Sequence, residues 1–216
     1  MKRMRIMGLS LVAVFAMSAV AVNSVSAAAK PKPVLKLVTA KGDLAVGAEL
    51  KASSSDLVFV TSAGNLECSS NVLTGAITVN NNASKDKANI TAESSTGEFE
   101  GGACKTTTPL GPALITASGL SWPAEFTNKG TSTLKGTKKV VFTSVFPLAG
   151  GAKCVYESAK VASTFTVGGA TELTTSNQLF KYNKKLSNAA CPTEGKLSGH
   201  FAVTSGGETV ETLFAP

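Results

Sequence analysis

The sequence predicts an all-β fold, an antiparallel sandwich or Greek-key barrel, behind an N-terminal signal helix. Three observations carry this. Short β-branched segments recur at close intervals, separated by Gly and Asn turns. No stretch beyond the first 27 residues repeats apolar side chains at the helical period. All four cysteines lie downstream of an apolar leader.

The leader comes first in the chain. Lys2, Arg3 and Arg5 precede an apolar run from Ile6 to Val22, and Val25-Ser26-Ala27-Ala28 supplies small residues for a cut. Basic, apolar and small segments in that order mark a secretory signal peptide. Cleavage after Ala27 places Val25 and Ala27 at the two positions that signal peptidase requires to be small. The run is slightly short of the ~20 residues of a membrane-spanning helix, so no transmembrane anchor is expected after cleavage. Residues 28–33, with Lys30-Pro31-Lys32-Pro33, read as an extended linker because proline fixes φ and blocks strand pairing. The β domain is expected over 34–216, with candidate halves 34–118 and 119–216.

Strands are expected at Val34–Val38, Leu57–Thr61, Gly75–Val79, Ala113–Thr116, Lys139–Phe146, Val161–Val167, Lys196–Thr204 and Thr209–Phe214. Ala63-Gly64-Asn65, Asn80-Asn81-Asn82, Gly101-Gly102, Gly150-Gly151, Gly168-Gly169 and Gly206-Gly207 separate them. Gly206-Gly207 between two apolar runs predicts a C-terminal hairpin.

The chain carries 21 Lys and Arg against 14 Asp and Glu, a net +7. Removing the three cations of the leader leaves 18 lysines, no arginine and a net +4. Arginine is the residue of bidentate phosphate and guanine recognition, so nucleic acid is not an expected partner.

Four cysteines in an exported chain predict two disulfides, with three connectivities open. An internal echo selects among them. Cys68 to Cys104 spans 36 positions and Cys154 to Cys191 spans 37. Leu50-Lys51 and Val58-Phe59-Val60-Thr61-Ser62 before the first pair correspond to Leu134-Lys135 and Val141-Phe142-Thr143-Ser144 before the second. The preferred pairing is therefore Cys68 with Cys104 and Cys154 with Cys191, each within its own half.

Chemistry is sparse. The single histidine, His200, falls on the polar side of an alternating strand, opposite Leu197, Phe201 and Val203, and reads as outward-facing. Glu98 and Glu100 flank Phe99 and share a face if that segment is a strand, which makes them the candidates for a polysaccharide hydrolase. The only tryptophan, Trp122, stands beside Pro123 and reads either as a core plug or, with Tyr156 and Tyr182, as a ligand platform for sugar rings. Lys181-Tyr182-Asn183-Lys184-Lys185 is a basic patch suited to an acidic polymer or to solvent. No metal-ligand spacing and no cofactor motif is present, and no catalytic residue is assigned.

Leu66-Glu67-Cys68-Ser69-Ser70, Leu73-Thr74-Gly75, Gly102-Ala103-Cys104, Leu120-Ser121-Trp122-Pro123, Cys154-Val155-Tyr156 and Cys191-Pro192 occur in that order. This order resembles small exported β-rich proteins with two cysteine pairs from high-GC Gram-positive bacteria. The resemblance implies one β domain holding both pairs and transfers no site residue, because that group has no assigned activity. The expected function is a secreted or cell-envelope β protein, non-enzymatic, structural or binding a ligand such as a cell-wall or extracellular glycan. A secreted polysaccharide hydrolase and a barrel carrying a small apolar ligand are the alternatives.

Overall fold

A computed structural model describes residues 34–81, 85–136, 139–189 and 191–215. The leader, the cut at Ala27 and the linker 28–33 lie outside the described residues. The strands, in chain order, are β1 Val34–Thr39, β2 Gly42–Asp43, β3 Glu49–Ser54, β4 Val58–Thr61, β5 Gly64–Glu67, β6 Ser70–Val79, β7 Lys85–Thr96, β8 Lys105–Thr106, β9 Leu114–Ser118, β10 Trp122–Thr127, β11 Thr131–Leu134, β12 Val140–Phe146, β13 Ala152–Ser158, β14 Val161–Thr164, β15 Gly169–Ala170, β16 Glu172–Tyr182, β17 Glu194–Ser205, β18 Glu208–Thr209 and β19 Glu211–Ala215. Among the described residues no helix is long and apolar enough to cross a membrane.

Eight strands close an antiparallel barrel in the order β3-β6-β7-β10-β11-β14-β16-β17, with β17 returning to β3. They follow one another around the ring in chain order, an up-and-down arrangement. Successive connections therefore alternate between the two ends. At one end they are short. At the other they are long: β4 and β5, then β8 and β9, then β12 and β13, then residues 183–193. These excursions build an annex on the long strands β16 and β17. Strand β17 pairs β3 at Ala202–Thr204 but β4 at Gly195–Ser198, while β16 pairs β14 at Thr174 but β13 at Lys181 and Tyr182. An antiparallel bridge between Cys104 and Ala113 joins the outer edges of the annex.

The same order of parts occurs twice: a barrel strand, an excursion, two barrel strands, an excursion and a barrel strand. The change falls at the turn between β10 and β11. Each half carries one cysteine at each of its excursions. The bridges are Cys68–Cys104 and Cys154–Cys191. Two disulfides mark a chain that folds in an oxidising compartment.

The opposite end is capped by a small sheet, β15-β19-β1-β2. Its Leu35 and Leu37 are fully buried against the common core. Asn80, just after β6, locks it in place. Its Nδ2 donates to the carbonyls of Leu37 (2.9 Å) and Leu44 (2.7 Å), and its Oδ1 accepts from the Leu37 N–H (2.9 Å).

Strand β17 shows the clearest sequence logic. Leu197, Phe201 and Val203 are buried, and Lys196, His200 and Ala202 are exposed, at the period of two that a strand imposes. The Gly206-Gly207 hairpin forms, with φ of 57° and 84° at the two glycines, the left-handed pair of a two-residue turn. It is shorter than the sequence predicts. Glu208 and Thr209 pair with β17, the Val210 N–H still donates to the Val203 carbonyl (2.9 Å), and the chain then leaves for β19, which pairs β1. Two interior glycines are fixed by close approach. A Cβ at Gly195 would lie 2.2 Å from the Phe59 ring, and one at Gly75 would lie 2.2 Å from the Asn89 carbonyl, at a bulge between β6 and β7.

Candidate functional site: a cavity inside the barrel

An eight-stranded barrel has an interior that side chains either just fill or leave open for one small ligand. Here several inward positions are small: Ala52 and Ala124 are buried aliphatics, and Ser132 and Thr175 are buried hydroxyls. Such side chains do not fill the ring, and a cavity of about 120 Å³ remains. All eight barrel strands line it, as do residues of the annex. Its walls are mostly apolar, with Leu50, Ile90, Leu134, Phe201 and Val203 among them.

Aromatic rings form one side. Trp122 meets Phe142 edge-on at 6.3 Å between centroids, and Phe142 stacks on Phe180 at 4.8 Å. Phe59 meets Phe180 at 6.0 Å and Tyr156 at 4.9 Å. Burial first, and the neighbouring Tyr182 second, push the Tyr156 hydroxyl up to about 12. A second cavity of about 150 Å³ lies in the annex, and Leu66, Ser144 and Tyr156 line both.

Little of the surface of the barrel cavity is polar. The Trp122 indole is fully buried, and its Nε1–H has no hydrogen-bond acceptor among the described residues. An unmet buried donor costs about 1–3 kcal/mol. Across the barrel wall, Ser95 Oγ lies 2.9 Å from Asn71 Oδ1 and also contacts the Glu93 carboxyl. The backbone N–H of Ala117 in β9 donates to Glu93 Oε2 at 3.1 Å, which ties β9 to β7. Burial raises the Glu93 carboxyl above the usual range, against the pull of these two hydrogen bonds. No Lys, Arg or His lines this cavity.

The sequence-predicted site residues divide accordingly. Trp122 and Tyr156 are 0% and 3% exposed, so they cannot stack on an external sugar; they line the cavity instead. Inward alternation on β10 puts Trp122, Ala124 and Phe126 on one face and Pro123 on the other. Tyr182 is half-buried beside Tyr156, and its hydroxyl donates to the Ala189 carbonyl at 2.7 Å. The three therefore do not form one surface platform. Glu98 and Glu100 are exposed and lie at a 3₁₀ turn, Glu100–Gly102, rather than side by side on a strand. Among the described residues, no three His, Cys, Asp or Glu side chains gather as a metal site would need.

His200 faces outward, and the structure adds a partner that spacing could not reveal. Its Nδ1 lies 2.6 Å from Asp56 Oδ2, and its backbone N–H donates to Asp56 Oδ1 at 2.9 Å. Ser54 Oγ donates to Asp56, not to the imidazole (3.0 Å), so this is no nucleophile-activating triad. Asp56 raises the His200 pKa through its hydrogen bond and its charge. Burial pushes the Asp56 carboxyl up, but the hydrogen bonds from His200 and Ser54 outweigh it and the net shift is down. The pair therefore supports the fold between two limits. Its contribution fades as pH rises through the raised imidazole value, and as pH falls through the lowered carboxyl value. Asp56→Asn is expected to return His200 toward its ordinary 6.5 in an NMR titration of this single histidine. An unchanged titration midpoint would contradict the pairing.

No protein-family model, no curated protein and no solved structure matches the chain.

Proposed function

We propose that the mature chain is an exported, non-enzymatic β-barrel that binds one small apolar molecule in its interior. The observation that carries this is the cavity of about 120 Å³, apolar and lined from every strand of the closed ring. An engineered cavity of roughly 150 Å³ with similar walls stays dry and binds benzene or xenon. Ligand sites in proteins share this pattern of apolar walls with a few placed polar groups. Export is supported by the leader motif and by the two disulfides. The burial of Trp122 and Tyr156 favours an interior ligand over a surface glycan, and the exposure of Glu98 and Glu100 weighs against a hydrolase.

The single tryptophan reports directly on the site. Titration with toluene is expected to change Trp122 emission saturably and to raise Tm, because a ligand that binds only the folded state stabilises it by mass action. Ala124→Leu, which places a larger side chain in the cavity wall, is expected to abolish both effects. Emission and Tm that do not respond to toluene would refute the proposal.

A further inference from the structure

We infer that the ligand is an elongated apolar molecule, a compact end in the barrel cavity and a hydrocarbon chain in the annex cavity; this rests on the barrel cavity being the ligand site. Two observations meet here. The annex holds a cavity of about 150 Å³ beside the barrel cavity of about 120 Å³. Leu66, Ser144 and Tyr156 border both spaces. Spaces that touch the same side chains lie on either side of one side-chain layer, and the ligand passes through that layer.

The lining of the annex cavity grades from buried to exposed. Phe146 and Cys154 are buried, Leu110 and Pro192 half-buried, and Ala63 and Pro109 exposed. The cavity thus reaches from the barrel wall to the protein surface. The other end of the barrel is closed. Leu35 and Leu37 of the cap sheet are fully buried there, and Asn80 holds the sheet with three hydrogen bonds.

The annex lining narrows the class. No Asp, Glu, Lys, Arg or His borders this cavity. Among its hydroxyls, Thr61 Oγ1 donates to the Gly64 carbonyl (2.8 Å), and Thr108 Oγ1 lies 3.0 Å from Thr106 Oγ1. Uncharged walls whose hydroxyls are engaged locally suit a hydrocarbon chain, whereas a charged group enclosed there would lack a partner. The two volumes together approach twice the benzene-binding benchmark of roughly 150 Å³, which points to an occupant of about ten carbons. A benzene ring with a four-carbon chain has that size.

The test is a homologous series. Toluene, ethylbenzene, propylbenzene and butylbenzene are titrated into the mature protein by calorimetry. Affinity is expected to rise about fourfold for each added methylene through butylbenzene, the gain from burying one such group. A crystal soaked with 1-bromo-4-phenylbutane locates the chain end, and an anomalous bromine peak is expected in the annex cavity, among Leu66, Leu110 and Phe146. Toluene binding with an affinity that stays flat or falls toward butylbenzene, or a bromine inside the barrel ring, would overturn the annex inference and leave the barrel site standing. Binding of no member of the series would overturn both.

Discussion

Replacing Cys68 and Cys104 by alanine is expected to lower the stability of the fold by about 4 kcal/mol, and replacing Cys154 and Cys191 by a similar amount. The bridges close loops of 36 and 37 residues. Most of the effect lies in the unfolded chain, which regains the freedom that the cross-links deny it. Both bridges sit at the annex end. One ties the β5–β6 junction to the segment before β8, and the other ties β13 to the connection between β16 and β17. That connection has other anchors: the Asn183 N–H donates to the Val155 carbonyl (2.8 Å), and the Val155 N–H donates to Ser187 Oγ (2.9 Å). The segment around Cys104 is anchored as well: Cys104 exchanges both backbone hydrogen bonds with Ala113 (2.7 and 3.0 Å), and the Thr107 N–H donates to the Asn65 carbonyl (3.0 Å). Ordinary domains hold about 5–15 kcal/mol, so loss of both bridges brings this one to the edge of unfolding. Urea titrations of the two double variants and the quadruple variant measure this. Midpoints within error of the parent protein would show that the annex holds without them.

Trp122→Ala is expected to cost about 3–5 kcal/mol, the range for deleting a buried aromatic. Trp122 is fully buried, opposite Ile90 and against Phe142, and it borders space that is already open. Truncation enlarges that space, and the closed ring restricts how far its strands can move in. Trp122→Phe keeps an aromatic edge against Phe142 and is expected to cost clearly less. Thermal or urea unfolding of both variants orders them. A loss below 1 kcal/mol for Trp122→Ala would mean that the barrel collapses around the gap, and with it the rigid cavity.

The sequence was most legible where side-chain contrast is high. Strand β17 alternates strongly, the Gly206-Gly207 turn has its required residues, and the cysteine echo matches the two bridges. Trp122 beside Pro123 admitted a core reading, and it is in the core. Of the strands outside the predicted set, β10 and β13 carry large buried side chains, Trp122, Phe126 and Tyr156, whereas β3, β7 and β16 are quiet. Strand β3 turns Leu50, Ala52 and Ser54 inward, and β7 turns Asp86, Ala88 and Ile90 inward before a bulge breaks its period. Strand β16 carries its own register shift between Thr175 and Gln178. Small and polar inward residues weaken the alternation by which a strand is recognised. Of the small ones, Ala52 of β3 and Thr175 of β16 border the cavity.

Long-range pairing was not legible at all. Asp56 meets His200 across 144 positions. The closure of β17 on β3 and the turn of the chain from β18 into a separate sheet with β1 depend on which edges are free once the ring has formed. No local pattern states this.

The central claim is that the barrel encloses an apolar space that a small molecule enters and occupies. The most direct measurement is a crystal of the mature protein pressurised with xenon. One strong xenon site is expected inside the ring, bounded by Trp122, Phe142, Leu134 and Phe201. A ring interior without xenon, while the gas binds elsewhere on the same molecules, would contradict it.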